Sequence, residues 1–88
     1  MKVEFLAKFS KDVESLTKKS DKTNLILIIE QIEKAENLSE ISKIKKLVGH
    51  KSAYRVRMND FRIGFFFEDQ KIILARIVHR KDIYKLFP

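Results

Sequence analysis

All five arginines of the chain, Arg55, Arg57, Arg62, Arg76 and Arg80, fall in its second half, and two residues able to move a proton, His79 and Tyr84, stand beside the last of them. Arg55 and Arg57 alternate with Tyr54, Val56 and Met58 in AYRVRM; Arg62 follows Asn59-Asp60 inside a phenylalanine-rich run. Residues two apart on a strand share a face and lie about 6.8 Å from each other. Folding the chain back at Asn59-Asp60 brings Arg62 onto the neighbouring strand. Three guanidiniums so close repel one another, and few acids nearby can pair with them. The arrangement suits an anion, because the guanidinium fork matches phosphate at two points and stays charged at any working pH. The plainer alternative is a solvated strand face, on which a single arginine is unremarkable. Tyr84 comes four residues after Arg80, near enough to return its hydroxyl to the basic face.

The elements that must position these groups follow from periodicity. Alternation predicts strands over 54–58, 61–67 and 71–80, joined by Asn59-Asp60 and by Glu68-Asp69-Gln70. Phe61, Ile63, Phe65 and Phe67 share one face of the middle strand; Arg62, Gly64 and Phe66 share the other. In the last strand Arg76, Val78 and Arg80 share a parity, with His79 opposite. Gly64 leaves space for a ligand to approach the backbone, and Phe66 can stack a base. A first strand is expected within residues 2–9. Ser10 reads as the N-cap of a helix over 11–19, and Asp21 as the cap of a second over 22–36. Leu25, Ile28, Ile29 and Ile32 form the buried stripe of that second helix, which leaves Leu27 without a core position. Leu38, Ile41, Ile44 and Leu47, spaced by three, read as a short helical or 3₁₀ connector ended by Gly49. The fold class is therefore α+β: two N-terminal helices on one face of a small antiparallel sheet of about four strands, one domain over 1–88. The arginines then lie on the helix-free face.

Composition narrows the chemistry. The net charge is +7, and it resides in residues 45–88, where eleven lysines and arginines face four acids; residues 1–44 balance eight against eight. This asymmetry points to a polyanion or an acidic partner. There are no cysteines and only two histidines, so no disulfide, thiolate nucleophile or structural metal site is expected. No signal peptide and no apolar run near the ~20 residues of a membrane span are visible. A cytoplasmic protein without metal, cofactor or membrane partner is expected.

From Lys45 to Tyr84 the string "KKLVGH…YRVRMNDFRIGFFFEDQKIILARIVHRKDIY" closely resembles the RelE/ParE superfamily of bacterial toxin–antitoxin systems. The shared pattern is a K-L-x-G connector, a Y-R/K-x-R/K strand, a turn, [YF]-R-[IL], an acidic turn, an apolar strand and H-R-x-x-[IV]-Y. The helical first half agrees in layout. Carried across, the resemblance gives Arg62 the scissile phosphate, Arg80 the transition-state charge and Tyr84 a place near the attacking 2′-oxygen. Arg55 and Arg57 stand where some RelE toxins carry lysines. Arginine cannot act as a base at cellular pH, so the proton falls to Tyr84 or His79. Lys45, Lys46, Phe66, Arg76 and Lys81 are the expected RNA contacts around that centre.

The chemistry these groups support is metal-free transesterification: the ribose 2′-OH attacks the adjacent phosphorus, leaving a 2′,3′-cyclic phosphate and a 5′-hydroxyl. The resemblance implies a ribosome-dependent messenger RNA endonuclease held in check by a cognate antitoxin, with Leu27 and Lys85-Leu86-Phe87 as candidate antitoxin contacts. Two alternatives stand beside it: a ParE-like inhibitor of DNA gyrase acting by protein binding, and a non-catalytic basic nucleic-acid-binding domain.

Overall fold

The alternating runs around Asn59-Asp60 do pair as a hairpin, and the rest of the sheet is built outward from it. The computed structural model describes residues 1–88. In chain order it has β1 (Lys2–Phe5), α1 (Ala7–Glu14), α2 (Lys19–Lys34), a 3₁₀ turn (Leu38–Glu40), β2 (Ile44–Lys46), β3 (Ala53–Met58), β4 (Phe61–Glu68), β5 (Lys71–His79) and α3 (Ile83–Leu86). The sheet has five strands in the order β1-β5-β4-β3-β2. β2 through β5 pair antiparallel, whereas β1 runs parallel to β5. The architecture is α+β as expected, but the sheet is mixed and one strand larger than the spacing suggests.

The extra strand comes from the connector. Only Leu38–Glu40 coils; Ile41 N–H closes that turn on Leu38 and takes an extended conformation. Lys43 then adopts a left-handed φ of 60° and turns the chain alongside β3, pairing Ile44 with Val56 and Lys45 with Arg55. A spacing of three kept Leu38, Ile41 and Ile44 on the core without a helix through them.

Both expected helix caps are corrected. β1 ends at Phe5, and α1 starts at Ala7 from an extended Leu6 that offers no capping side chain. Ser10 therefore lies inside α1, because an earlier start turns Phe9 into the core, where it is fully buried. Asp21 lies in the first turn of α2, favourably placed for the helix dipole, and its buried carboxylate accepts from Asn59 Nδ2 at 3.3 Å.

The main core lies between these helices and one sheet face. Phe9, Leu16, Leu25 and Ile32 meet Val56, Met58, Ile63, Phe65, Ile72, Leu74 and Ile77. Each such side chain contributes about 1.5–3 kcal/mol by leaving water. The opposite face is not helix-free along its whole length. α3 and Phe87 seal one part of it over Leu47, Ala53, Ala75 and Val78. A Cβ on Gly64 would fall 2.6 Å from Phe87 Cγ and Cδ2. Glycine is thus required there by the Phe87 ring and not by an approaching ligand.

Candidate functional site

The part of that face left open carries the basic residues. β3 and β4 place Arg57 directly opposite Arg62, and Arg55 opposite Gly64 with Lys45 on its other side. Like charges in cross-strand register repel. Lys43, Lys45, Arg55, Arg57 and Arg62 line a depression of about 380 Å³. Arg62 is anchored at the hairpin mouth, where Nη1 donates to the carbonyls of Asn59 and Phe61, both at 2.9 Å. Asn59 reaches this geometry through a left-handed φ of 53°, a conformation that asparagine tolerates well. Arg80 arrives from the end of β5, tied by its backbone N–H to Asp60 O at 2.7 Å.

The electrostatics record the convergence. Burial, followed by the charges of Arg55, Arg57 and Arg80, pushes the pKa of Arg62 below its ordinary value. Arg62 remains charged at any working pH, so the strain appears as repulsion that an anion would relieve. Arg55 Nε is buried without a hydrogen-bond partner, an unfavourable state for a charged donor. Tyr84, on α3, is largely exposed. Hydrogen bonding from Arg55 lowers its pKa, opposed by burial and reinforced by the charges of Arg55, Lys45 and Arg62. The phenol therefore gives up its proton more readily than a free tyrosine does.

Arg55, Arg57, Arg62, Arg80, Tyr84 and Lys45 are thus brought together. Lys46 is exposed and lines the adjoining groove with Tyr84 and Phe87. Lys81 is exposed on the turn after β5, and its backbone N–H donates to His79 Nδ1 at 3.2 Å. Three expected residues lie elsewhere. His79 pairs with Phe61 and meets its ring edge-on at 6.1 Å, on the side of the α1–α2 loop. Strand alternation thus places it away from the arginines. Phe66 is covered by Phe87, with ring centroids 5.1 Å apart, so it serves packing and not base stacking. Arg76 is held by Asp12 of α1, Nε to Oδ2 at 2.8 Å and Nη2 to Oδ1 at 3.2 Å. That hydrogen bond raises its pKa, and the pair is only 19 % and 16 % exposed. Of the suggested antitoxin contacts, Leu27 and Leu86 are exposed, and Phe87 is buried.

Sequence reasoning missed Lys43, which turns the chain into β2 and lines the same depression as Lys45; recognising β2 would have drawn attention to it. No three His, Cys, Asp or Glu side chains gather to hold a metal ion. No helix is long and apolar enough to cross a membrane.

No protein-family model matches the chain. Toxin RelE3 of Methanocaldococcus jannaschii is 37 % identical over 89 residues, covering 100 % of both chains. Among solved structures, the RelB–RelE antitoxin–toxin complex from Methanococcus jannaschii matches with a TM-score of 0.82 and 33 % identity over 97 % of this chain and 99 % of that one. The archaeal RelE–RelB complex from Pyrococcus horikoshii OT3 gives 0.72 at 21 % identity, covering 93 % and 97 %. The YoeB dimer from Staphylococcus aureus gives 0.73 at 18 %, covering 91 % and 97 %. These last two share the fold. Identity with RelE3 that runs the full length of both proteins, on the same arrangement of helices and strands, means that the chain belongs to the RelE family of toxin–antitoxin toxins.

Proposed function

We propose that this toxin cuts messenger RNA on the ribosome, by attack of a ribose 2′-OH on its own 3′-phosphate. The observation that carries the reading is Arg62 surrounded by Arg55, Arg57 and Arg80, with the Tyr84 phenol at the edge of the group. Arg62 holds the scissile phosphate. Tyr84, made more acidic by Arg55, takes the 2′-OH proton as the O2′–P bond forms. Arg80 and the neighbouring guanidiniums neutralise the added charge of the phosphorane. The P–O5′ bond then breaks, and the 5′-oxygen collects a proton from solvent. Arg55 and Arg57 stabilise charge only, since neither can give up its proton.

The messenger and the ribosome enter from family membership; the phosphate grip is supported by the geometry. Family membership and the basic second half also support a cognate antitoxin whose acidic segment covers the open arginines, with both partners in the cytoplasm. The test is to express the protein in growing cells and map the 5′ ends of a translated message by primer extension. New ends inside the reading frame, together with growth arrest, are the expected result. Arrest with an intact message and inhibited DNA supercoiling would instead favour gyrase as the target.

A further inference from the structure

β5 changes phase midway. Ile72 and Leu74 face the helices, so even-numbered residues point to the core; beyond them it is Ile77 that joins the same core. The register shows the cause: Phe65 pairs with Leu74 but Gly64 pairs with Arg76, so Ala75 is an extra residue and the strand is bulged. Had the strand continued regularly, Arg80 would share the phase of Leu74 and lie beneath the helices. His79 would then occupy the arginine face. The bulge is what places Arg80 beside Arg62.

The bulge is held from the other end of the sequence. β1 pairing stops at Phe5 opposite Leu74, where Leu6 N–H donates to Leu74 O. Past that point the edge of β5 has no strand partner. Asp12 of α1 takes the partner's place: Oδ2 accepts from Ile77 N–H at 3.0 Å and from Arg76 Nε at 2.8 Å, and Oδ1 accepts from Arg76 Nη2. One carboxylate therefore satisfies the freed backbone amide and draws the bulged arginine off the open face. We infer that Asp12 is a positioning residue, which locks the Ala75–Arg76 bulge and so delivers Arg80 to the anion-binding face. The consequence for catalysis rests on the role proposed above for Arg80; the consequence for geometry does not.

The test uses the full chain carrying Asp12→Ala, Asp12→Asn, Arg80→Ala and each double variant, assayed for message cleavage on ribosomes. Asp12→Ala should lower kcat about 10-fold, part of the ~10²–10³ that one charge-stabilising donor supplies, with KM little changed. In the Arg80→Ala background it should cost nothing more, because both changes remove the same group from the site. Independent, multiplying losses would mean that Asp12 merely holds α1 to the sheet, and the inference would be overturned. A crystal structure of the Asp12 variant decides the geometry without any cleavage assay. Arg80 displaced from Arg62 is expected; Arg80 unmoved overturns the inference. Should Asp12→Ala fail to fold, Asp12→Asn, which keeps an acceptor for Ile77 N–H but loses the charge facing Arg76, serves both arms. A wild-type protein that cuts no message would remove the proposed function and leave this inference to the structural arm.

Discussion

Phe66 and Arg62 lie on the same face of β4, four residues apart, and meet opposite surroundings. Phe66 is covered by Phe87 and joins Leu47, Ala53, Ala75 and Val78 in a small second core. Arg62 lines an open depression with Arg55 and Arg57 and also feels the charge of Arg80. Strand alternation assigned both to one side of the sheet, but the C-terminal segment decided which part of that side would be sealed. The sealed part contributes stability through burial, and the open part gives some up to like-charge repulsion. Placing that repulsion where a phosphodiester would sit is the ordinary signature of a functional site.

Removing the central charge should separate the two regions most sharply. Arg62→Ala is expected to lower message cleavage by about 10²–10³ and to abolish growth arrest, while the circular-dichroism spectrum stays native. Loss of folded signal would show instead that the open part is structural. Tyr84→Phe comes next, with a loss of about 10²-fold, near the lower end for acid–base catalysis. In the proposed mechanism the active form is the deprotonated phenol, and its pKa is lowered. The wild-type rate should therefore rise with pH and level off as Tyr84 ionises, a limb that Tyr84→Phe removes. His79→Ala should keep that limb, since His79 packs on Phe61 away from the arginines.

The sealed part is probed by Gly64→Ala. Its new Cβ would meet the Phe87 ring at 2.6 Å, a strain of about 1–3 kcal/mol by overpacking, measured by urea unfolding. The same change should cost clearly less in a Phe87→Ala background, because the clash is then gone. The smallest effect belongs to the repulsion itself. Arg62→Gln should raise the melting temperature slightly at low ionic strength, and added salt should narrow the difference by screening the wild-type charges. Arg62 stays charged across working pH, so the signature appears against salt and not against pH. A variant that melts lower than wild type at every salt concentration would contradict the picture of an electrostatically strained site.

Much of this was legible in the sequence because strands of period two declare their faces. Tyr54, Val56, Met58 and Ile63 went inward, and Arg55, Arg57 and Arg62 went outward as read. The unreadable parts were those set by residues distant in the chain. Nothing within β5 announces that Ala75 is an extra residue; Asp12, more than sixty positions earlier, holds the bulge, so Arg76 was placed on the wrong surface. The cover over Phe66 and Gly64 comes from Phe87, whose burial depends on a turn and on the four-residue α3. β2 was hidden because Leu38, Ile41 and Ile44 meet the core at a spacing that also suits a helix. Local pattern revealed which face a side chain takes, and long-range contacts determined what covers it.

The central claim is that the open guanidiniums grip a phosphodiester whose own 2′-OH performs the attack. The most direct measurement is single-turnover cleavage of a ribosome-bound message carrying one 2′-deoxy nucleotide at the mapped cut site, with binding followed in parallel. The account predicts that this message is bound as tightly as the all-ribose one and left intact, and that Arg62→Ala weakens its binding. Cleavage at the deoxy position, or binding indifferent to Arg62, would contradict it.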